Sequence, residues 1–218
     1  MITIRDLKRI VSGGESDQLE FKNKVNHPEK IVREVVAFAN AKGGTLLIGV
    51  DDDKNIVGVK DPAEETEILN KCLDELVKPE IKVDTELISI SRKRKVVCYR
   101  IKESQKKPHF VNKFKGSRNG IAYFRYQDKT IQASSELLEV IRKKKRYKKG
   151  FMIKYGETEE QVVKSIDERG HMTIKEIQEI TGIQRHDLSS ALVGLVLTNV
   201  LEIEPRDGED LFISKPPA

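Results

Sequence analysis

The stretch "PEKIVREVVAFANAKGGTLLIGVDDD", Pro28–Asp53, decides the fold of the larger part of the chain. Proline suits the first turn of a helix, where its missing N–H costs nothing. Ile31, Val32, Val35, Val36 and Phe38 then recur at helical spacing until the glycines of "AKGG" stop the run. "TLLIGVD" is short and unbroken in its apolarity, the pattern of a strand buried on both faces. The turn residues "DDKN" followed by "IVGV" predict a return strand, and with it a hairpin.

Upstream, "TIRDLKRIVSGGES" predicts a short helix capped by Thr3 and ended by Gly13 and Gly14, followed by a strand over "QLEFK". Downstream, "AEETEILNKCLDELVKP" predicts an amphipathic helix ending before Pro79. "IKVDTELISI", "KVVCYRIK" and "GIAYFRY" predict strands, and "SSELLEVIRKKKRYKK" a closing helix. Residues 1–150 therefore read as a mixed α/β domain. Beyond Glu157 come three helices, "ETEEQVVKSIDERG", "TIKEIQEITG" and "RHDLSSALVGLVLTNV", and a hairpin turning at Asp207 and Gly208. That order predicts a small winged-helix domain over residues 157–218.

A hydrophobic content of 38% supports a core, and 34% charged residues require a densely ionic surface. The apolar runs are too short to span a bilayer, and the first residues lack the uninterrupted apolar stretch of a secretory leader, so a cytoplasmic protein is expected. Cys72 and Cys98 suggest neither a disulfide framework nor a zinc site. His27, His109, His171 and His186 lack metal-ligand spacing and read as surface or loop residues. Neither glycine-rich stretch ends in the Gly-Lys-Ser/Thr of a phosphate-binding loop, which removes support for an ATPase.

Charge is unevenly spread along the chain. Residues 157–218 hold thirteen acidic and six basic side chains, a net of −7, which leaves +12 on residues 1–156. Lys and Arg bind nucleic acid by displacing counterions from phosphates, so the first domain is the expected backbone contact. The candidates are Lys106, Lys107, Lys113, Lys115 and Arg118, then Arg142, Lys143, Lys144, Lys145, Arg146, Lys148 and Lys149, with Tyr147 interrupting the last run. That run has no apolar face to enter a membrane surface. In the acidic second domain Gln184, Arg185, His186, Ser189 and Ser190 could read base edges, though dimerisation or partner docking is the plainer role. Tyr123, Phe124 and Tyr126 read as core and rim of a strand rather than a base-stacking platform.

In "EFK" the alternation of a strand sends Glu20 and Lys22 to one face and Phe21 into the core. Glu15 precedes the strand, and Asp51 and Asp52 end the neighbouring apolar run. One reading is a surface ion pair worth about 0.2–1 kcal/mol. The other is a site for a hard divalent cation, which prefers oxygen ligands and activates water.

"ESDQLEFK", "VVAFANAKGG", "TLLIGVDDD", "IVGV", "KKPHFV" and "GIAYFRYQDKTIQASSELLEVI", in that order, resemble the AlbA-type core of the Schlafen family over residues 12–142. The family includes nucleases that cut structured RNA such as tRNA through a three-carboxylate metal site, and proteins described as DNA-binding regulators. The resemblance implies Glu15, Glu20 and Asp51 or Asp52, with Asp52 favoured by alignment, as ligands of Mg²⁺ or Mn²⁺, with Lys22 as a further catalytic residue beside them. It also implies a homodimer, because paired domains surround the RNA in eukaryotic members. The C-terminal segment resembles the winged helix of the DNA-processing protein DprA. The favoured function is a metal-dependent endoribonuclease, and the alternative is a transcription regulator that binds DNA without catalysis.

Overall fold

The computed structural model describes residues 2–117, 119–147 and 150–215 and divides into two units, Met1–Ile131 and Gln132–Ala218. Unit 1 is mixed α/β. Its elements begin with α1 (Ile4–Ser12), β1 (Leu19–Lys22), α2 (Pro28–Asn40), β2 (Gly43–Ile48), α3 (Pro62–Leu76) and β3 (Val77–Lys78). They continue with β4 (Val83–Ser89), β5 (Lys95–Lys102), β6 (Phe110–Val111), β7 (Tyr123–Tyr126) and β8 (Lys129–Gln132), which ends at the boundary. The main sheet has the order β1-β2-β5-β4, with β1 parallel to β2 and the other pairs antiparallel.

Helices cover both faces of this sheet, which is why Leu46, Leu47 and Ile48 of β2 are all buried. Leu46 and Ile48 face the core shared with α2 and α3, while Leu47 joins Leu7 and Val11 of α1 on the other side. On β5, Val97, Tyr99 and Ile101 alternate in the same way with Val96 and Cys98. Burial pushes the Cys98 thiol up to about 11 and the Tyr99 hydroxyl up to about 12, so both are inert core groups at neutral pH. Gly44 allows Phe38 of α2 to lie against β2, since a Cβ there would stand 2.3 Å from the ring. Thr3 caps α1 in a reciprocal box with Asp6.

Two expectations need correction in this unit. "IVGV" forms no strand: it makes only the isolated bridges Val50–Ile56 and Val59–Lys95, because both edges of β2 are already taken by β1 and β5. His109 is fully buried rather than at the surface. Its backbone N–H donates to Asn40 Oδ1 at 2.7 Å, and Asn40 Nδ2 donates to the carbonyls of His109 (3.0 Å) and Tyr123 (2.8 Å). That exchange ties the end of α2 to β7.

Unit 2 contains α4 (Ser135–Arg146), α5 (Glu157–Arg169), β9 (His171–Thr173), α6 (Ile174–Thr181), α7 (Arg185–Leu197), β10 (Leu201–Glu204) and β11 (Leu211–Ser214). Its antiparallel sheet has the order β10-β11-β9. The expected boundary near residue 150 is displaced, because α4 belongs here. Val140 packs among Val162, Ile166, Leu192 and Val193, and Ser134 both caps α4 and bonds Asp210. β9 went unpredicted, as three residues are too few to show alternation. Helix α7 is central: it buries Leu188 and the run from Ala191 to Val196, and a Cβ on Gly194 would stand 2.9 Å from Ile153. No described helix is long and apolar enough to cross a membrane.

Candidate nucleic-acid interface and its neighbouring ion cluster

The backbone just before β1 folds back on itself, Ser16 N–H donating to the Leu19 carbonyl at 3.0 Å. This turn points several groups at one buried guanidinium, Arg125 of β7, which is 3% exposed. Arg125 Nη2 donates to the Ser16 carbonyl (2.9 Å) and the Leu19 carbonyl (3.3 Å) and lies 2.8 Å from Glu20 Oε2. Its Nη1 reaches Glu34 Oε2 of α2 at 3.1 Å and Thr130 Oγ1 of β8 at 3.3 Å, and Thr130 in turn donates to Glu34. The guanidinium also sits 4.9 Å from the centre of the Phe38 ring.

Glu20 is buried, and both its oxygens are engaged by cations, Oε2 by Arg125 and Oε1 by Lys22. Glu15 Oε1 accepts the Phe21 N–H at 2.8 Å. Partial burial and the neighbouring Glu20 charge push the Glu15 carboxyl above its ordinary range. Burial and Glu20 do the same to Glu34, against the lowering bond from Thr130. The alternation argument therefore holds for Glu20 and Lys22, and Glu15, just before the strand, lies beside them.

The aspartates are disposed differently. Asp51 closes a turn, Oδ1 accepting the Asn55 N–H (2.8 Å) and Oδ2 the Asn55 side-chain amide (3.1 Å), and those bonds lower its pKa. Asp52 is exposed. Among the described residues no three His, Cys, Asp or Glu side chains are grouped to hold a metal ion, and the expected set of Glu15, Glu20 and Asp52 is no exception. As placed, the donors do not fit a divalent cation, because the buried carboxylate already bonds an arginine and a lysine.

Two members of the cluster escaped sequence reasoning. Glu34 interrupts an apolar helical run, "IVREVVAF", and Arg125 stands in mid-strand between aromatic residues; each is a polar residue where the pattern asks for an apolar one. That mismatch was the available signal. Tyr123, Phe124 and Tyr126 are half-buried around Arg125.

The expected phosphate contacts fall in both units. Lys106, Lys113 and Lys115 are exposed in unit 1, while Lys107 is half-buried, donating to Glu103 and to the Ala41 carbonyl. Arg142, Lys144, Lys145 and Arg146 are exposed at the end of α4 in unit 2, and Lys143 and Arg142 both approach Glu139. Arg118, Lys148 and Lys149 lie outside the described residues. Of the α7 candidates, Arg185 Nη1 donates to Glu136 of α4 at 2.9 Å and Ser189 Oγ donates to the same oxygen at 2.6 Å. An open cavity of about 670 Å³ runs between the two helices, with Glu136, Lys143, Arg185, His186 and Ser190 on its walls.

The order of these features, an acidic strand end, a helix, a buried strand and a cationic mid-strand arginine, coincides with a known domain. The family model described as Schlafen, AlbA_2 matches residues 15–134, more than half of the chain. The chain belongs to the Schlafen AlbA_2 family. The matched AlbA_2 segment contains the whole Arg125 cluster and stops just before α4, close to the division between the units. Among solved structures, the AlbA_2 chain is similar to the N-terminal domain of a RecG-related protein from Nitrosomonas europaea, at 24% identity and TM-score 0.43, over 58% of this chain and 90% of that one. It is also similar to the DIP2311 protein from Corynebacterium diphtheriae, at 14% identity and TM-score 0.45, over 91% of this chain and 34% of that one. No curated protein matches the chain.

Proposed function

We propose that the chain is a nucleic-acid-binding protein that holds the phosphate backbone through exposed Lys and Arg side chains, without a divalent cation at the β1 carboxylates. One observation carries this reading: both oxygens of Glu20 are bonded to protein cations, Arg125 and Lys22. Carboxylates beside a phosphate-binding surface repel the ligand unless a cation offsets them, and here side chains supply that charge. Exposed Lys106, Lys113, Lys115, Lys144 and Lys145 are then what a polyanion meets. Membership of the Schlafen AlbA_2 family agrees with this reading.

Anisotropy titrations of labelled RNA and DNA, with EDTA or with Mn²⁺, test it. Equal affinity in both buffers is expected, with log K falling linearly against log salt. Affinity that disappears in EDTA overturns it. The endoribonuclease reading draws support from the closeness of Glu15 and Glu20 and would need Asp52 to join them around Mg²⁺ or Mn²⁺. Metal-dependent cuts in tRNA that vanish in Glu20→Ala would establish that reading instead.

We read unit 2 as a winged helix, supported by the order helix, strand, helix, helix and two further strands, and by its antiparallel three-stranded sheet. Its reading helix would be α7, yet Arg185 and Ser189 are committed to Glu136, which favours backbone contact over operator recognition. Sequence-selective retention of one duplex from a random pool would favour the regulator. A cytoplasmic homodimer belongs to the same proposal, with light scattering as its check.

A further inference from the structure

The loop that leaves β6 carries an exposed aromatic ring, Phe114. Its base is pinned: Val111 and Ile121 exchange backbone hydrogen bonds at 2.8 and 2.9 Å, and the N–H of buried Asn112 donates to the Leu76 carbonyl at 2.8 Å. A Cβ on Gly120 would meet Asn112 Oδ1 at 2.6 Å, so the two ends of the loop are packed against each other. The outer part contrasts with this base. Ser117 N–H donates to the Phe114 carbonyl at 3.0 Å, and Gly116, with φ +88°, has open space where a Cβ would be. At this turn Phe114 is 66% exposed, with Lys113 and Lys115 exposed on either side of it.

A large apolar ring held on a tethered turn between two ammonium groups invites a partner that is flat, apolar on its faces and negatively charged at its edges. Tyr155 is 55% exposed but has a lysine on one side only, Lys154, and the remaining aromatic candidates are engaged. The Tyr147 ring has the Arg146 guanidinium 5.5 Å from its centre and the Phe151 ring at 5.1 Å, and Tyr123 is half-buried with Arg33 at 5.5 Å. Phe114 makes no ring-to-ring or cation–π contact among the described residues. A lipid surface would require more than one apolar anchor. A base in a stacked duplex offers no free face, whereas an unpaired base does.

We infer that Phe114 is a stacking platform for an unpaired nucleotide, with Lys113 and Lys115 holding the adjacent phosphates. This rests on the nucleic-acid-binding reading above and names its substrate class: single-stranded or looped RNA or DNA. Recognition is tolerant of sequence, because every base has a π-face.

The test compares full-length wild type with Phe114→Ala and Phe114→Trp, titrated against labelled oligo(U) and against a blunt RNA duplex of equal length. Phe114→Ala is expected to weaken oligo(U) binding by about tenfold, in line with the loss of one stacked base, while leaving duplex affinity and salt dependence unchanged. Phe114→Trp should retain oligo(U) binding. Lys113→Ala with Lys115→Ala should weaken both ligands and flatten the salt slope. Wild-type oligo(U) affinity in Phe114→Ala, or an equal loss on both ligands, overturns the inference but leaves backbone binding intact. Loss of self-association in Phe114→Ala would reassign the ring to a contact between copies and also overturn it. Absence of binding to either ligand by the wild type removes the underlying reading as well.

Discussion

Arg125 in unit 1 and Glu136 in unit 2 are both buried, and each is satisfied by opposite charge and by hydroxyl groups, yet the two pairings reach water differently. Around Arg125 the carboxylates outnumber the cations: Glu20 and Glu34 touch it directly and Glu15 stands beside Glu20. The Arg125 side chain is 1% exposed. Among the described residues Glu136 has a single cationic partner, Arg185, whose side chain is 46% exposed and can hydrate if the pair breaks. Buried pairs are costly to split mainly because of the charge left behind, so the two clusters should respond unequally to mutation although their distances are similar.

Their acid–base behaviour diverges too. The Glu136 carboxyl, pushed up by burial but drawn further down by Arg185 and Ser189, ends below its ordinary range. Glu15 and Glu34 end above it. Stability contributed by Glu136 is therefore present above the ordinary carboxylate range and lost as pH falls through its lowered value. For Glu15 and Glu34 the favourable contribution is present below that range and lost as pH rises through their raised values.

The sharpest challenge to this contrast is Arg125→Met. Leaving buried Glu20 with Lys22 alone and half-buried Glu34 without its guanidinium should destabilise the protein by about 3–5 kcal/mol, read from urea unfolding. A cost under about 1 kcal/mol would mean that the guanidinium is not the centre of the cluster. Glu136→Gln should cost less, about 1–2 kcal/mol, because Arg185 can turn to water and the Ser189 bond can survive. The same variant should lose the acid-side decline in stability that wild type shows, which urea melts across a pH series would detect. The smallest effect is expected from Glu15→Gln, which keeps an acceptor for the Phe21 N–H and removes one negative charge. Its stability relative to wild type should be highest near neutral pH and converge as pH drops below the ordinary carboxylate range. Convergence in the opposite direction would show that Glu15 is stabilised, not strained, by its neighbours.

The two units also revise the distribution of charge. Dividing the chain at residue 157 gives an acidic second domain, but the structural division assigns fourteen basic and fifteen acidic residues to Gln132–Ala218 and leaves +6 on Met1–Ile131. Helix α4 and the lysines that follow it in sequence, Lys148, Lys149 and Lys154, make the difference. The existence of α4 was legible from Leu137, Val140 and Ile141 at helical spacing, yet periodicity says only that one face is buried, not which neighbour buries it. The polar residues Ser189 and Arg185 looked available to bases for a similar reason: the sequence does not reveal that Glu136 lies over them.

The strand and helix around Phe21, Phe38 and Leu46 were legible because short-range spacing sets them. The pairing of Glu20 and Lys22 was legible too, since strand alternation is local. Arg125 was not: its partner Glu34 is 91 residues away, and nothing local marks a pairing at that distance. By itself the sequence determined most element types and the acidic strand end, products of backbone periodicity and nearby side chains, and its ordered motifs carried the family resemblance. Only the tertiary structure decided what cation meets Glu20, which unit owns α4 and how far Phe114 stands exposed, because each depends on long-range packing that competes for the same groups.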